Sequence, residues 1–430
     1  MSDSLTNPQN NPYIRKERSM QSQSSTNNYV DFYKHLKVPP TSSMYKEEQE
    51  YENSRKFLYS QLGFIYEAIA HKRIIEFGPG LGQNLELIAK HSPSSIAFAD
   101  HLPSVITNIP DKLRRSNASN IDHIESYSID LNCSDDEWDS KFSEKRFDVV
   151  IAEGVVNGNP NPGRIWTRLS GLVAKGGVLI GTGVHPCGAI DQALRRLWYV
   201  WYVEHYGDSE QAIAALINDY GDGLSKLGTR KLARDWVLDN IVNPLVGRNL
   251  QKDFFFSASD LALLLASLEK ESGISFVPLG CSPRIVCDTT WFKHFQSRFS
   301  SHYVLSEFAD EFEKGALIFL NADDRYLPTF SVDSKVLSAN VVSLFEIQSM
   351  SLESSLSTKQ SAAKLRTKFA ETLSVIQQIL TESPVMVSLL SDFMGAIAEY
   401  DRSGVPPAVP LSLRQFHSRG LHYFSFYRLD

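Results

Sequence analysis

An acidic residue followed by three alternating glycines is the feature of this 430-residue chain with the clearest chemical meaning. Glu76 ends an apolar stretch that begins at Arg73, and Gly78, Gly80 and Gly82 precede a helical pattern. Glycine lacks a Cβ, so the backbone turns sharply there and a ligand can lie against it. The helix N-terminus adds unpaired N–H groups and partial positive charge. A strand, a glycine turn and a helix in this order predict a nucleotide-type ligand site.

The glycine spacing differs from two common phosphate-binding patterns. A dinucleotide fingerprint needs its third glycine at position 83, which is Gln83, and the Gly-Lys-Ser/Thr of a phosphate loop is absent from the sequence here. An acid at the strand end would repel a pyrophosphate, but it suits a ligand that carries an ammonium or sulfonium group. The motif resembles motif I of the class I S-adenosylmethionine-dependent methyltransferases. A glycine-rich turn in some other α/β domain is the alternative interpretation of the motif alone.

Four acidic residues lie at the ends of predicted strands: Glu76, Asp100, Asp130 and Glu153. The strands are predicted over 73–76, 95–100, 123–130, 147–154 and 176–183, with helical patterns between them. Alternating strands and helices indicate a parallel sheet with right-handed crossovers, and ligands of such sheets bind at the carboxyl ends of the strands. Asp100 follows Glu76 by 24 residues, which suits a carboxylate that accepts hydrogen bonds from a ribose.

The resemblance implies a role for each of these positions. In the family, the strand-1 acid lies near the methionine end of the cofactor, the glycines pass beneath it, the strand-2 acid holds the ribose, and the acid after strand 3 contacts the adenine amine. The segment after strand 4 faces the methyl group and the substrate. By position, the expected cofactor-binding residues are Glu76, Gly78, Gly80, Gly82, Asp100, His101, Asp130, Leu131, Glu153 and Gly154.

Methyl transfer asks little acid–base chemistry of the protein. A sulfonium-bound methyl group is already activated, so positioning and exclusion of water supply most of the rate. A general base is therefore not obligatory. Glu153 after strand 4 and His185 after strand 5 are the nearest candidates, although a single histidine in a loop more often has no catalytic role.

Composition narrows the class of protein. A net charge of -7 argues against broad nonspecific binding to nucleic acid, which needs a basic surface. The four cysteines form no C-x-x-C pair, so we expect inert thiols, no metal site and a reducing compartment. The N-terminal segment shows no secretory signal, and the apolar runs are too short to cross a bilayer. A cytoplasmic protein without a membrane partner is expected.

The predicted fold is α/β: a Rossmann-like seven-stranded methyltransferase sheet with helices on both faces, a helical insertion after strand 5 and a helical C-terminal region. Strand 6 is predicted over 273–280, and strand 7 over either 421–428 or 316–321. The expected domains are a disordered tail at 1–28, an N-terminal helical cover at 29–70, a cofactor-binding core at 71–190, a helical insertion or substrate cap at 191–270, the end of the core sheet at 271–325, and a helical region at 326–430.

The predicted function is methyl transfer from S-adenosylmethionine to an O or N atom of a small-molecule acceptor, a metabolite or a saccharide. The alternatives are a protein side-chain methyltransferase and a non-catalytic binding or scaffold protein. A nicotinamide-dependent oxidoreductase is disfavoured by Gln83. Adenine or cytosine methylation is disfavoured because the position of an Asn/Asp-Pro-Pro-Tyr motif after strand 4 reads Glu153-Gly-Val-Val156. The aromatic helix within 191–220 is expected to pack internally, to roof the substrate pocket or to form a homodimer face.

Overall fold

A computed structural model describes residues 48–115, 123–221, 233–242, 255–285, 301–320, 332–355 and 359–430. The described residues form two compact units. The sheet unit lies within Pro40–Ala189, Lys252–Ala339 and Ser418–Asp430, and the helical unit lies within Ile190–Gln251 and Asn340–His417. The predicted tail at 1–28 and residues 29–47 of the predicted N-terminal cover lie outside the described residues.

The sheet unit alternates strands and helices along the chain, as the sequence pattern predicts. Its strands are β1 (Arg73–Phe77), β2 (Ser95–Asp100), β3 (His123–Ser128), β4 (Phe147–Ala152), β5 (Val173–Val184), β6 (Phe276–Ser282) and β7 (Leu421–Arg428). Its helices up to β5 are α1 (Glu48–Gln61), α2 (Gln83–Ala89), α3 (Pro103–Arg115), α4 (Asp135–Phe142) and α5 (Pro162–Leu172), with a 3-10 turn at Tyr66–Ile69.

The seven strands form one sheet in the order β3-β2-β1-β4-β5-β7-β6. The first five pair in parallel, and β7 lies antiparallel between β5 and β6. The order reverses between β1 and β4, which is the position where ligands bind in doubly wound sheets. The predicted seven-stranded fold is therefore confirmed. Strand 7 is the segment at Leu421–Arg428, whereas its competitor forms a 3-10 turn at Ala316–Leu320.

Two hydrophobic clusters cover the two faces of the sheet. Successive residues of a strand point to opposite faces, so Ile74 joins the cluster that includes Leu85 of α2, and Ile75 joins the other. The second cluster includes Trp166 of α5 and Leu261 of a helix after β5. The alternation places Glu76 on the same face as Ile74, beneath α1 and α2.

Two longer helices complete the sheet unit, α9 (Ala258–Ser272) and α10 (Ser301–Gly315). Ser257 caps the N-terminus of α9 in a capping box with Asp260, and Gly273 ends it in the left-handed conformation. From the sequence, residues 258–270 are expected to belong to the helical insertion. The structure instead packs α9 against the sheet, because its apolar residues Leu261 and Leu265 are wholly buried in the second cluster.

The helical unit contains the remaining helices. They are α6 (Ile190–Tyr206), α7 (Ser209–Tyr220), α8 (Ala233–Val237) with a turn of π-helix at Leu238–Val242, most of α11 (Ser334–Ser355), α12 (Lys359–Ile379), α13 (Pro384–Ser403) and α14 (Leu411–Gln415). Trp198 and Trp201 of α6 are wholly buried and contact Phe393 and Tyr400 of α13 at 4.7 and 5.1 Å between ring centroids. The aromatic stripe of α6 is thus core packing. Within the described residues, every helix is too short or too polar to cross a membrane.

Candidate active site

The glycine turn between β1 and α2 adopts the backbone conformation that only glycine takes easily. Gly78, Gly80 and Gly82 have φ of 64°, 56° and 79°, in the left-handed region. The N–H of Gly78 donates to the carbonyl of Ala99 at 2.8 Å, which ties the turn to β2. The turn therefore brings the N-terminus of α2 to the carboxyl ends of β1 and β2.

Position 78 needs glycine for a second reason, which the sequence does not reveal. A Cβ at Gly78 would lie 2.0 Å from Cγ1 of Val155, in the segment after β4. At Gly154, by contrast, a Cβ would meet no described residue within 4 Å, although its φ of 71° is also positive. The space beside Gly78 therefore serves packing of the β4 loop, in addition to the tight turn.

Glu76 is a buried carboxyl group with only one of its oxygens satisfied. Its side chain accepts a hydrogen bond on Oε1 from the Asn84 amide at 3.1 Å. Its Oε2 is buried and has no hydrogen-bond partner among the described residues. Burial, followed by repulsion from Glu153, raises the pKa of Glu76 to about 7 against the lowering effects of Asn84 and Arg55. A cationic ligand beside this buried carboxyl group would favour its ionised form.

Glu153 follows β4, and both of its oxygens are engaged. Arg55 of α1 donates to Oε2 at 2.7 Å and to Oε1 at 2.6 Å, a bidentate ion pair. The Tyr59 hydroxyl donates to Oε1 at 3.2 Å and itself accepts from Arg55 at 2.9 Å. The side chains of Arg55 and Glu153 are 9% and 14% exposed. Three hydrogen bonds thus hold the two oxygens of this carboxylate, which favours a supporting role over that of a general base.

Asp100 is the last residue of β2, at the carboxyl end of the strand. Its Oδ1 accepts the N–H of Leu102 at 2.8 Å, and Nδ1 of His101 lies 3.5 Å from it. Burial raises the pKa of Asp100, against lowering by the Leu102 amide. Nε2 of His101 is buried without a hydrogen-bond partner among the described residues. The pair therefore offers a buried ring nitrogen beside an acid.

Asp130 and Leu131 lie beyond the end of β3, which stops at Ser128, two residues earlier than predicted. Asp130 is exposed, and its Oδ1 accepts the backbone N–H of Asn132 at 2.8 Å in an Asx turn. Leu131 packs against the second cluster. Nδ2 of Asn132 donates to Asn159 Oδ1 at 2.6 Å, so the loops after β3 and β4 are joined.

Gly154 connects the β4 loop to β5. Its N–H donates to the hydroxyl of Thr182 at 2.7 Å, and Asn157 Nδ2 donates to the Thr182 carbonyl at 3.3 Å. Oδ1 of Asn157 is a further buried oxygen without a hydrogen-bond partner among the described residues. The loop is thus anchored on β5 and presents an amide oxygen that still needs a donor.

His185 belongs to a different cluster. It is 1% exposed, stacks on Phe319 at 5.3 Å between ring centroids, and places Nε2 3.4 Å from Glu313 Oε2. Burial lowers the pKa of His185, but the interactions with Cys187 and Glu313 outweigh it and raise the pKa to about 9. Cys187 and Glu313 therefore hold this side chain in a structural position, which disfavours it as a base.

Four residues of the site were not predicted from the sequence: Arg55, Tyr59, Asn84 and Asn157. Asn84 had a detectable signal, because it lies on the first turn of the helix that follows the glycines, eight residues after Glu76. Arg55 and Tyr59 had none, since 98 and 94 residues separate them from Glu153. Their i, i+4 spacing on α1 only indicates that they share one helix face.

Comparisons with known proteins give partial structural similarities. No family model and no curated protein matches the sequence. The chain is similar to N-methyltransferase NodS from Bradyrhizobium japonicum WM9 in complex with S-adenosyl-L-homocysteine, with 18% identity over 37% of this chain and 74% of NodS and a TM-score of 0.28.

Two further solved structures are similar to parts of the chain. The CcbJ methyltransferase from Streptomyces caelestis has 13% identity over 34% of this chain and 58% of its own, with a TM-score of 0.26. Magnesium protoporphyrin IX methyltransferase (ChlM) from Synechocystis PCC 6803 with bound S-adenosyl-L-homocysteine has 12% identity over 37% and 68%, with a TM-score of 0.26. The order and direction of the seven strands, with helices on both faces, give this chain a Rossmann-like fold.

Proposed function

We propose that this chain binds S-adenosylmethionine at the carboxyl ends of β1, β2 and β4 and transfers its methyl group to an O or N atom of a small-molecule acceptor. One observation carries the proposal. Among the described residues, the buried Oε2 of Glu76 has no hydrogen-bond partner, and it lies beside a three-glycine turn at the point where the strand order reverses. A buried anionic acceptor at this point suits an ammonium or sulfonium ligand and disfavours a pyrophosphate.

The residues present fit such a cofactor. Glu76 Oε2 and Asn157 Oδ1 are buried acceptors without partners in the described part of the chain, and they suit an ammonium donor. His101 Nε2, beside Asp100, suits ribose hydroxyls. Under the proposal, Gly78, Gly80 and Gly82 lie beneath the cofactor, Asp130 and Leu131 border the adenine, and Glu153 with Gly154 borders the methyl group. The cofactor supplies an activated methyl group for in-line displacement.

The protein contributes to the chemistry by binding and orienting the cofactor and the acceptor and by excluding water. Both oxygens of Glu153 already accept hydrogen bonds from Arg55 or Tyr59. His185 is held by Glu313 in a separate cluster. The proposed mechanism therefore relies on placement of the acceptor for in-line attack, which can supply a large part of a catalytic rate, and it assigns no obligatory base.

Calorimetric titration tests the binding step. S-adenosylmethionine and NAD are titrated separately into the protein at pH 8, where Glu76 is mostly ionised. We expect S-adenosylmethionine to bind and NAD not to bind. Glu76→Gln should weaken binding by roughly tenfold or more, since a charge-assisted hydrogen bond is lost. Glu67→Gln is the matched control, because the Glu67 side chain is 63% exposed. Binding of NAD in preference to S-adenosylmethionine would refute the proposal.

A turnover assay separates the proposed enzyme from its alternatives. Formation of S-adenosylhomocysteine is measured by mass spectrometry with a pool of small metabolites and, separately, with a protein fraction. We expect turnover with the small molecules. Turnover with the protein fraction only would support a protein methyltransferase, and tight binding without turnover in either pool would support a scaffold or sensor.

A further inference from the structure

Two acidic side chains, Glu76 and Glu153, lie at the ends of neighbouring strands. β1 and β4 pair in parallel, with Glu76 opposite Ile151 and Phe77 opposite Ala152, so Glu153 directly follows the last paired residue. Each carboxyl group raises the energy of the other's ionised form when both are buried. The repulsion contributes to the raised pKa of Glu76. A buried pair of this kind needs a counter-charge to ionise fully.

Arg55 supplies that counter-charge, and it does so to one of the two acids. Its guanidinium is bidentate to Glu153, and the Tyr59 hydroxyl bridges the pair. Glu76 receives a hydrogen bond from the neutral Asn84 amide. When both carboxyl groups are ionised, the three charged groups sum to one negative charge, and it resides on Glu76.

Other titratable groups that face Glu76 are the hydroxyls of Tyr51 and Tyr59 on α1 and of Tyr66 on the following 3-10 turn. Burial raises the pKa of all three hydroxyls, so they remain neutral at physiological pH. They add hydrogen-bonding capacity but no charge. The ionisation of Glu76 is therefore controlled chiefly by its burial and by the Arg55–Glu153 pair.

We propose that Arg55 is a positioning residue of the cofactor site: its ion pair with Glu153 ties α1 to the end of β4 and reserves the negative charge of Glu76 for the cation of the cofactor. The inference rests on the proposed function. It assigns Glu153 to the support of the site, in place of the role of base. It also couples binding to protons, because a cation that meets Glu76 lowers its pKa and releases a proton near neutral pH.

The pair gives two substitutions with opposite expected effects. Arg55→Met removes the cation and leaves Glu153 beside Glu76, so ionisation of Glu76 becomes harder and the pH midpoint of cofactor affinity moves upward. Glu153→Gln removes the repelling anion and leaves Arg55, so the midpoint moves downward. A single nearby charge shifts a pKa by roughly one unit or more, and we expect midpoint shifts of that order. A general loosening of the fold would not give shifts of opposite sign.

The experiment measures the affinity for S-adenosylmethionine by calorimetry between pH 5.5 and 9 for the full chain and its variants. Arg73→Met is the matched control, because Arg73 forms the ion pair of β1 with β4 at the opposite end, with Asp148 at 3.1 Å. Its midpoint should equal that of the wild type. The double variant Arg55→Met/Glu153→Gln should return the midpoint toward the wild-type value.

Opposite shifts in the two single variants, with no shift in the control, support the proposal. Equal midpoints in all variants, or shifts in the same direction, overturn it. If Arg55→Met does not fold, Glu153→Gln and the double variant decide: a downward shift in the first and a return in the second support the inference, and no shift refutes it. Failure of the wild type to bind S-adenosylmethionine at any pH would instead refute the proposed function, so the two failures are distinguishable.

Discussion

Replacing Glu76 with glutamine should remove a pH dependence of stability that the wild type carries in the absence of ligand. Burial, with repulsion from Glu153, raises the pKa of Glu76 from 4.5 to about 7. A group whose pKa is higher in the folded state contributes stability below its unfolded pKa, and this contribution is lost as the pH rises toward the folded pKa. Each pKa unit corresponds to about 1.4 kcal/mol, so the wild type should lose about 3 kcal/mol between pH 4 and pH 8 through this one group.

The assay is urea-induced unfolding of the ligand-free protein at pH 5 and at pH 8, where most of this loss occurs. The wild type and Glu76→Gln are each compared between the two pH values. This double difference cancels any constant effect of the new amide, such as its unpaired N–H groups. Because the glutamine side chain does not titrate, the variant should lack the loss of roughly 2 to 3 kcal/mol.

Glu67→Gln serves as the control in this experiment, since an exposed carboxyl group changes its environment little on folding. It should keep the pH dependence of the wild type. If Glu76→Gln retains the same loss between pH 5 and pH 8, then Glu76 is ionised at little cost in the folded protein. In that case, its buried, unpartnered oxygen would not explain cation binding, and the reasoning about the site would fail.

Two further predictions concern packing and a buried histidine. Gly78→Ala should destabilise the protein by roughly 2 to 4 kcal/mol, because overpacking against Val155 adds to the cost of a positive φ. Gly154→Ala, where a Cβ meets no described residue, should cost about 1 kcal/mol. Equal losses of stability in thermal unfolding would contradict the packing argument. Burial lowers the pKa of His422 to about 3, so its contribution to stability should be lost as the pH falls below 6.5 toward 3. The free energy of unfolding in urea should therefore change from pH 7 to pH 5 more in favour of pH 5 in His422→Gln than in the wild type, because Glu76 titrates in both proteins; an equal change in the two would refute this.

Much of the sheet could be predicted because its signals are local. β1, β2 and β4 are short apolar runs separated by helical patterns, and each of the first five predicted strands overlaps an observed one. The glycine turn was predictable for the same reason, since a positive φ depends on the residue and its immediate neighbours. The choice of strand 7 was not local. The segments near Ala316–Leu320 and at Leu421–Arg428 are both apolar, and a short apolar run does not distinguish a strand from a helical turn. Pairing with β5 and β6 decided between them.

The site residues likewise divide into those that local signals predict and those whose state depends on distant segments of the chain. The acids at the strand ends follow from where the apolar runs stop, so Glu76, Asp100 and Glu153 could be predicted as candidates. Which of them is paired and which has an unpartnered oxygen could not be predicted. That depends on Arg55, whose helix precedes the sheet in the chain and meets β4 only after folding.

The amino-acid sequence alone determined the succession of strands and helices, the left-handed glycine turn and the presence of acids at the carboxyl ends of the strands. Only the tertiary structure decided the electrostatic state of those acids, the antiparallel place of β7 and the burial of His185 beside Glu313. The physical reason is that backbone preference acts between neighbours in sequence. The charge on a carboxyl or imidazole group depends on burial and on groups a few ångströms away, and these come from distant segments of the chain.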